Sequence, residues 1–476
     1  MTHRLPLASF AAALALVLAG CGGDGGGSAA EGGAGLDIVP ASAVAYISLN
    51  SDLESGQWER LREHVEQFPD AGRLVDELLS ALADEGVNWE RDVEPALGPE
   101  VAIVALNTDD DLEPEPVVLT QPDDEAKLDQ LFARAGEEWV RREVEGWQAV
   151  AENAANLDAY ETVLEQGKLA DDDTFDEATA DLPDEALMTL YVDGDAFRDA
   201  ARESGQPDEI PGFGKLSWIS GAAEAVDQGL RFAGTYKATG LDAVEEYAPT
   251  LLDCVPADAL VAASFKGTTF QLDELQRQSS FDLPADAVEK FLGVTIDELA
   301  RLFRDEGAFY VRAAAPLPEV TLFLTVEDEA SAKQTLDRLA GRVTSEFLAQ
   351  RGQTTLDGAA ATYLEIQGFR ITYGVADGVA TVTTARTLRR PDEGDRLDDS
   401  GAFGTAKDAS GLGDETAGFL YVDLERTVSL IGGFAGVAGE EVPPELERNL
   451  RPLRSLVAHA TRDGDEIGFV ALLSVD

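Results

Sequence analysis

The chain has 476 residues, with 91 acidic against 36 basic side chains, a formal charge of -55 and a hydrophobic fraction of 44%. That length exceeds what one hydrophobic core usually spans and points to two or three domains, and the apolar content is that of a chain that folds. The charge argues against nucleic acid as a partner, because such binding needs Lys and Arg to displace counterions; it leaves a solvated acidic surface or the attraction of a basic partner.

At the start, Arg4 precedes an apolar run from Leu5 to Leu18 that ends in Leu18-Ala19-Gly20-Cys21. The run is too short for a comfortable membrane span and fits the apolar region of a secretory signal, so residues 1–20 read as a lipoprotein signal peptide. Its last four residues resemble the bacterial lipobox, which implies cleavage before Cys21 and lipid attachment to it. Several acyl chains hold a protein on a membrane where one binds only reversibly. Cys254, the other cysteine, is then left without a disulfide partner. Residues 21–35 are rich in Gly and Ser and read as a flexible tether. The expected location is therefore extracytoplasmic, on the cell membrane through lipidated Cys21.

From Leu36 onward the chain repeats itself. Val39-Pro40-Ala41-Ser42-Ala43-Val44 matches Val255-Pro256-Ala257-Asp258-Ala259-Leu260, and each motif leads into an alternating strand-like run. Helix entries follow at Asn88 and Thr295, with Glu298 completing a capping box, and Gly98 and Gly307 are expected to close those helices. The stretches VAIVAL with PEPVVLTQ and AFYVRA with PEVTLFLTV read as hairpins, each followed by an acid-led helix. GWQAV then answers GVATV, LMTLYVD answers GFLYVD, and both halves end in paired strands around a polar turn. The second half adds TYLEIQGFRITYGV, an expected extra hairpin. Residues 36–248 and 249–476 are thus expected to be homologous α+β lobes, each a mostly antiparallel sheet with helices packed on one face. A fainter echo of the opening motif at Pro183–Leu187 suggests β-α-β-β units, two per lobe.

These matched residues, with the lipobox ahead of them, resemble the uncharacterised bacterial family catalogued as domain of unknown function 3352, found in secreted or membrane-anchored proteins. The resemblance implies an envelope location and no activity.

Catalytic and metal chemistry finds little support. Beyond His3 in the signal peptide, only His64 and His459 remain, and neither neighbours a recognisable nucleophile, so both read as surface or boundary histidines. The clusters Asp109–Glu113, Asp171–Asp173 and Asp193–Asp195 lack the ligand order of a calcium loop and read as solvated turns. There is no phosphate loop, Cys-x-x-Cys pair or dinucleotide fingerprint, and no cofactor is expected. Leu430–Leu446, with Ile210–Ile219 at the comparable position, reads as a mobile lip or a buried connection. The function expected is a non-enzymatic binding or scaffolding module of the envelope, facing an envelope protein or a lipid. The alternatives are a carrier or chaperone for a hydrophobic ligand, or a carboxylate-dependent hydrolase. Cys254 is expected to be a small buried hydrophobe at the lobe junction.

Overall fold

A computed structural model describes residues 35–73, 80, 83, 86–106, 116–135, 139–203, 215–239, 245–267, 289, 291–315, 317–428, 430 and 443–476. The first half contributes strands β1 (Ala43–Asn50), β2 (Glu100–Leu106), β3 (Pro116–Thr120), β4 (Val140–Val144), β5 (Trp147–Ala151), β6 (Met188–Asp193), β7 (Lys215–Val226) and β8 (Gly229–Thr239). The second contributes β9 (Ala259–Lys266), β10 (Glu306–Arg312), β11 (Glu319–Thr325), β12 (Gln350–Leu356), β13 (Ala359–Ile366), β14 (Phe369–Ala376), β15 (Val379–Thr383), β16 (Gly418–Asp423), β17 (Leu453–Asp463) and β18 (Glu466–Val475). Helices α1 (Gly56–Glu66), α2 (Glu125–Ala135), α3 (Ala154–Leu164), α4 (Asp173–Thr179), α5 (Gly194–Glu203), α6 (Ile296–Leu302), α7 (Glu329–Phe347), α8 (Gly401–Ser410) and α9 (Pro444–Leu450) connect them, with shorter turns of helix between.

All 18 strands among the described residues belong to one sheet. Read from edge to edge through the pairings, its order is β4-β5-β3-β2-β1-β6-β7-β8-β18-β17-β16-β9-β10-β11-β15-β14-β13-β12, antiparallel throughout. The run β3-β2-β1-β6-β7-β8 recurs as β11-β10-β9-β16-β17-β18, and the two runs meet where β8 pairs with β18. The segment expected as an extra hairpin forms β13–β14, but β14 pairs with β15 as β4 pairs with β5, so the strands without a counterpart in the first half are β13 and β12, at the sheet edge.

Two expectations are corrected here. The sheet is continuous rather than one sheet per lobe, because β8 and β18 would otherwise each expose a long row of unpaired backbone groups, and each satisfies the other. Helices also cover both faces. In β1, Tyr46 faces a core with Leu157 and Tyr160 of α3 and Phe175 of α4, while Leu49 and Ile47 face a second core with Trp58 and Leu61 of α1. Successive side chains of a strand point to opposite faces, so strands apolar at both parities need cover on both. The second half does the same, with Phe403 of α8 against Tyr421 on one face and Leu336 of α7 against Tyr373 and Leu324 on the other.

Local signals explain several boundaries. Asn88 accepts from the Arg91 backbone N–H at its helix start, and Thr295 forms the expected capping box with Glu298. Gly98 has φ +66° at a helix end, where a side chain would also meet the Gln121 carbonyl. Gly307 does not close a helix: it lies within β10, and its missing side chain leaves room for the Phe265 ring. Cys254 is buried in the second core as a free thiol, and burial pushes its pKa up.

At the seam, Phe232 and Phe469 stack with ring centroids 5.6 Å apart, and Gly234 lies opposite both Gly221 and Phe469. A β-carbon on Gly234 would run into the Ser220 carbonyl and come within 2.7 Å of Phe469 Cζ. Gly234→Val is therefore expected to cost about 1–3 kcal/mol through overpacking. Chemical denaturation checks this, and an unchanged midpoint would contradict a tight seam.

Candidate functional site

Antiparallel register gives the sheet two strand-end rims. One carries the end of β1 and the start of β2, where Asn50 pairs with Glu100. An open cleft of about 250 Å³ lies there, lined by Ser48, Asn50, Glu100, Ala186 and Thr189 among others. Its carboxylates are Asp52, Glu100, Asp184 and Glu185, and no Lys or Arg lines it among the described residues.

Glu100 is the central group. It is only 6% exposed, and its Oε1 accepts from Ser48 Oγ at 2.7 Å and from the Tyr46 hydroxyl at 3.3 Å. Among the described residues its Oε2 has no protein partner. Burial, with the negative charge of Glu100 adding to it, pushes the Tyr46 pKa far up, so this hydroxyl stays a donor to the carboxylate. The buried edge of the cleft thus presents an acceptor held in place by two donors.

The second half contains the same acid in a different condition. Register pairs Glu306 with Lys266 as Glu100 pairs with Asn50, and Ser264 corresponds to Ser48. Glu306 is also buried, but both of its oxygens are occupied by the chain. Oε1 accepts from the Leu251 N–H at 2.6 Å, and Oε2 accepts from Thr250 Oγ1 at 2.5 Å. Tyr247 of the same segment forms an antiparallel bridge with Thr416 and reaches Ser264 Oγ at 2.7 Å, with Lys266 over its ring. The residue matching Thr416 is Ala186, which lines the first cleft and makes no such bridge among the described residues. The residue matching Leu251 is Gly35, where a β-carbon would lie 3.6 Å from Glu100 Oε1. Among the described residues, chain closes over Glu306 and none closes over Glu100.

The residues singled out from sequence fare differently. His64 and His459 are buried rather than at the surface, and each ring Nε2 faces a backbone carbonyl, Val226 O at 2.7 Å and Ser410 O at 3.0 Å. Those carbonyls only accept, so Nε2 carries the proton in both rings. The two rings hold α1 to the end of β7 and the end of α8 to β17, and neither faces the cleft. Among the acid clusters, Asp172 caps α4 by accepting from the Thr174 and Phe175 N–H groups, and Asp193 accepts from those of Asp195 and Ala196. Among the described residues no group of His, Cys, Asp and Glu is arranged to hold a metal, and no helix is long and apolar enough to cross a membrane. Cys21, the tether up to residue 34, Asp109–Glu113, and most of the two lip segments (residues 210–214 and 431–442) lie outside the described residues. Sequence reading passed over Glu100 and Glu306. Their signal was an acid at the head of an otherwise apolar strand at the same point of both repeats.

Removal of each acid has a different expected cost. Glu306→Ala leaves the buried Leu251 N–H unpaired, which costs about 1–3 kcal/mol. Glu100→Ala costs less, because it strands no backbone N–H and the Ser48 hydroxyl it frees borders the cleft. Equal losses in chemical denaturation would contradict the open and closed assignment.

No protein-family model and no curated protein matches the chain. Among solved structures it is similar to crystal form IV of TP0453, with TM-score 0.23 and 15% identity over 44% of this chain and 75% of that one. Crystal form III of TP0453 gives TM-score 0.25 and 10% identity over 45% of this chain and 82% of that one.

Proposed function

We propose that the chain is a lipid-anchored extracytoplasmic protein, held to the cell membrane through Cys21, that acts as a non-enzymatic binding module of the envelope. In this reading it is a tandem duplication of one α+β unit, with lobes at 36–248 and 249–476, and it belongs to the family it resembles in sequence. The recurrence of strand order on either side of the β8–β18 seam supports the duplication.

The observation that carries the membrane reading is the distribution of exposed apolar side chains. Of the seven exposed large apolar residues among the described ones, Leu317, Phe347, Leu348, Phe369 and Leu446 belong to one rim; Phe291, in the segment before α6, and Leu420, within β16, are the other two. Leu317 is in the turn between Arg312 and Glu319, Phe369 opens β14 opposite Ile366, Phe347 and Leu348 precede the start of β12, and Leu446 precedes β17. Leu348 is 88% exposed and sits at φ +52°, a left-handed conformation that a leucine adopts at a cost of about 1–2 kcal/mol. These tips rise on separate turns across β17 to β12, about 40 Å at ~4.8 Å per strand. A row of unconnected apolar tips suits a fluid interface better than a shaped pocket. Gly35, beside Glu100, joins the tether at the same rim.

A carrier role would need an enclosed apolar cavity. The cleft is open and edged with carboxylates, which favours binding of a polar group over storage of a lipid.

Cys21→Ala is expected to move the protein from the membrane fraction to the soluble one, and an unchanged membrane fraction would refute the anchor. With Cys254 buried, single cysteines at Leu348 and at Asp465 on the opposite rim accept a polarity-sensitive fluorophore. Nitroxide lipids should quench the label at Leu348→Cys and leave that at Asp465→Cys bright, whereas equal quenching would contradict the orientation.

A further inference from the structure

The apolar tips are accompanied by charge that the chain leaves unused. Thr384, at the exit of β15, exchanges hydrogen bonds with Val320 of β11, donating its N–H to the carbonyl and accepting the Val320 N–H at Oγ1, both at 2.9 Å. Thr383 pairs with both Thr321 and Thr372, so the chain leaves the sheet between the Leu317 turn and the start of β14, and exposed Arg386 follows there. Arg370 comes directly after Phe369, with its guanidinium 3.9 Å from the centre of the Tyr363 ring and its buried Nε without an acceptor. Gly352 leaves room for that ring, since a β-carbon there would lie 2.4 Å from Tyr363 Cζ. Neither arginine forms an ion pair among the described residues. The acids beside the tips are held elsewhere, Glu319 by Arg312, Glu346 by Arg342 and Asp337 by Arg351. Glu365, opposite Arg370 in the register, is the exception and makes no ion pair with it.

We propose that this stretch of rim docks on an anionic phospholipid surface, where Arg370 and Arg386 take lipid phosphates while Leu317, Phe347, Leu348 and Phe369 enter the acyl boundary. The proposal rests on the membrane reading of the rim and adds to it the class of lipid. A guanidinium held over an aromatic ring has its plane fixed in advance, and its planar donors match a phosphate two at a time. The whole chain, at -55, opposes approach to a negative surface. At physiological salt, however, charges more than about 8 Å apart are largely screened, so the groups that touch the headgroups decide. There, each arginine beside an anionic leaflet favours binding roughly fivefold. Apolar side chains supply depth and neighbouring cations supply selectivity for anionic lipid, the combination used by segments that lie in a membrane interface. A soluble anion could meet the arginines but would leave the apolar tips between them in water. Arginines on separate turns, with apolar tips among them, suit phosphates of neighbouring lipids better than one small ligand.

The test uses the full-length chain with its lipid, labelled at Leu348→Cys, in vesicles that contain nitroxide lipids. The ratio of inserted to free label is expected to be at least about tenfold higher in phosphatidylcholine with about one-third phosphatidylglycerol than in phosphatidylcholine alone. Arg370→Gln and Arg386→Gln should each lower that ratio roughly fivefold in the anionic vesicles and change it little in the neutral ones. Glu365→Gln, which removes the opposing acid, should raise it. Arg386 is exposed, so Arg386→Gln folds as the parent does and decides the matter if Arg370→Gln melts early. Quenching that is the same in both kinds of vesicle, or that Arg386→Gln leaves unchanged in the anionic ones, would overturn the proposal while leaving the rim at the membrane. No quenching at Leu348→Cys in any vesicle that carries the protein would sink the rim reading, and this inference with it.

Discussion

The pairing of β8 with β18 is the constraint on which the remaining architecture depends. Nine residues of each strand, Gly229–Lys237 and Glu466–Ser474, stand in continuous antiparallel register. The backbone donors and acceptors along them are satisfied in place of two exposed edges, which would invite aggregation. Side chains at the junction accommodate this closeness: Gly221 and Gly234 oppose one another, and Phe232 stacks on Phe469. Once the seam exists, both halves share a single pair of rims, and features far apart in sequence face the same way.

Several features share one of those rims. The Glu100 cleft, Gly35, and the apolar tips from Leu317 to Leu446 all lie at one strand end. The seam also relates the halves in opposite senses: β1 ends at the rim where β9 begins. Glu306 therefore lies at the opposite rim from Glu100. Glu306 faces away from the apolar tips, and Glu100 lies on the same rim as they do, several strands away. The same strand order in two orientations gives, among the described residues, a covered acid in one half and an uncovered one in the other.

Much of the fold was legible because its signals are local. The Val-Pro-Ala motifs, the Thr295 capping box, the Asn88 cap and the hairpins each depend on residues within a few positions. The seam was not legible, because the choice of edge partner between segments more than 200 residues apart leaves no short-range pattern. Helical cover on both faces was available in principle from AVAYISLN, where Val44 and Tyr46 alternate with Ile47 and Leu49 across the strand faces. Gly307 misled because a glycine serves a helix end or a crowded strand equally well, and only the Phe265 ring decides between them. The cleft was hidden for a related reason: Glu100 and Glu306 are visible as a repeated acid, but whether chain covers them depends on a segment preceding each repeat.

Amide hydrogen exchange across the seam tests the central claim most directly. Exchange protection follows the free energy of the opening that exposes each amide. If the sheet is one cooperative unit, the hydrogen-bonded amides of β8 and β18 exchange as slowly as those at the centres of β1 and β9, and all of them fail together as denaturant rises. Seam amides that exchange orders of magnitude faster, while β1 and β9 stay protected, would mean two lobes that merely touch, and would contradict the single sheet.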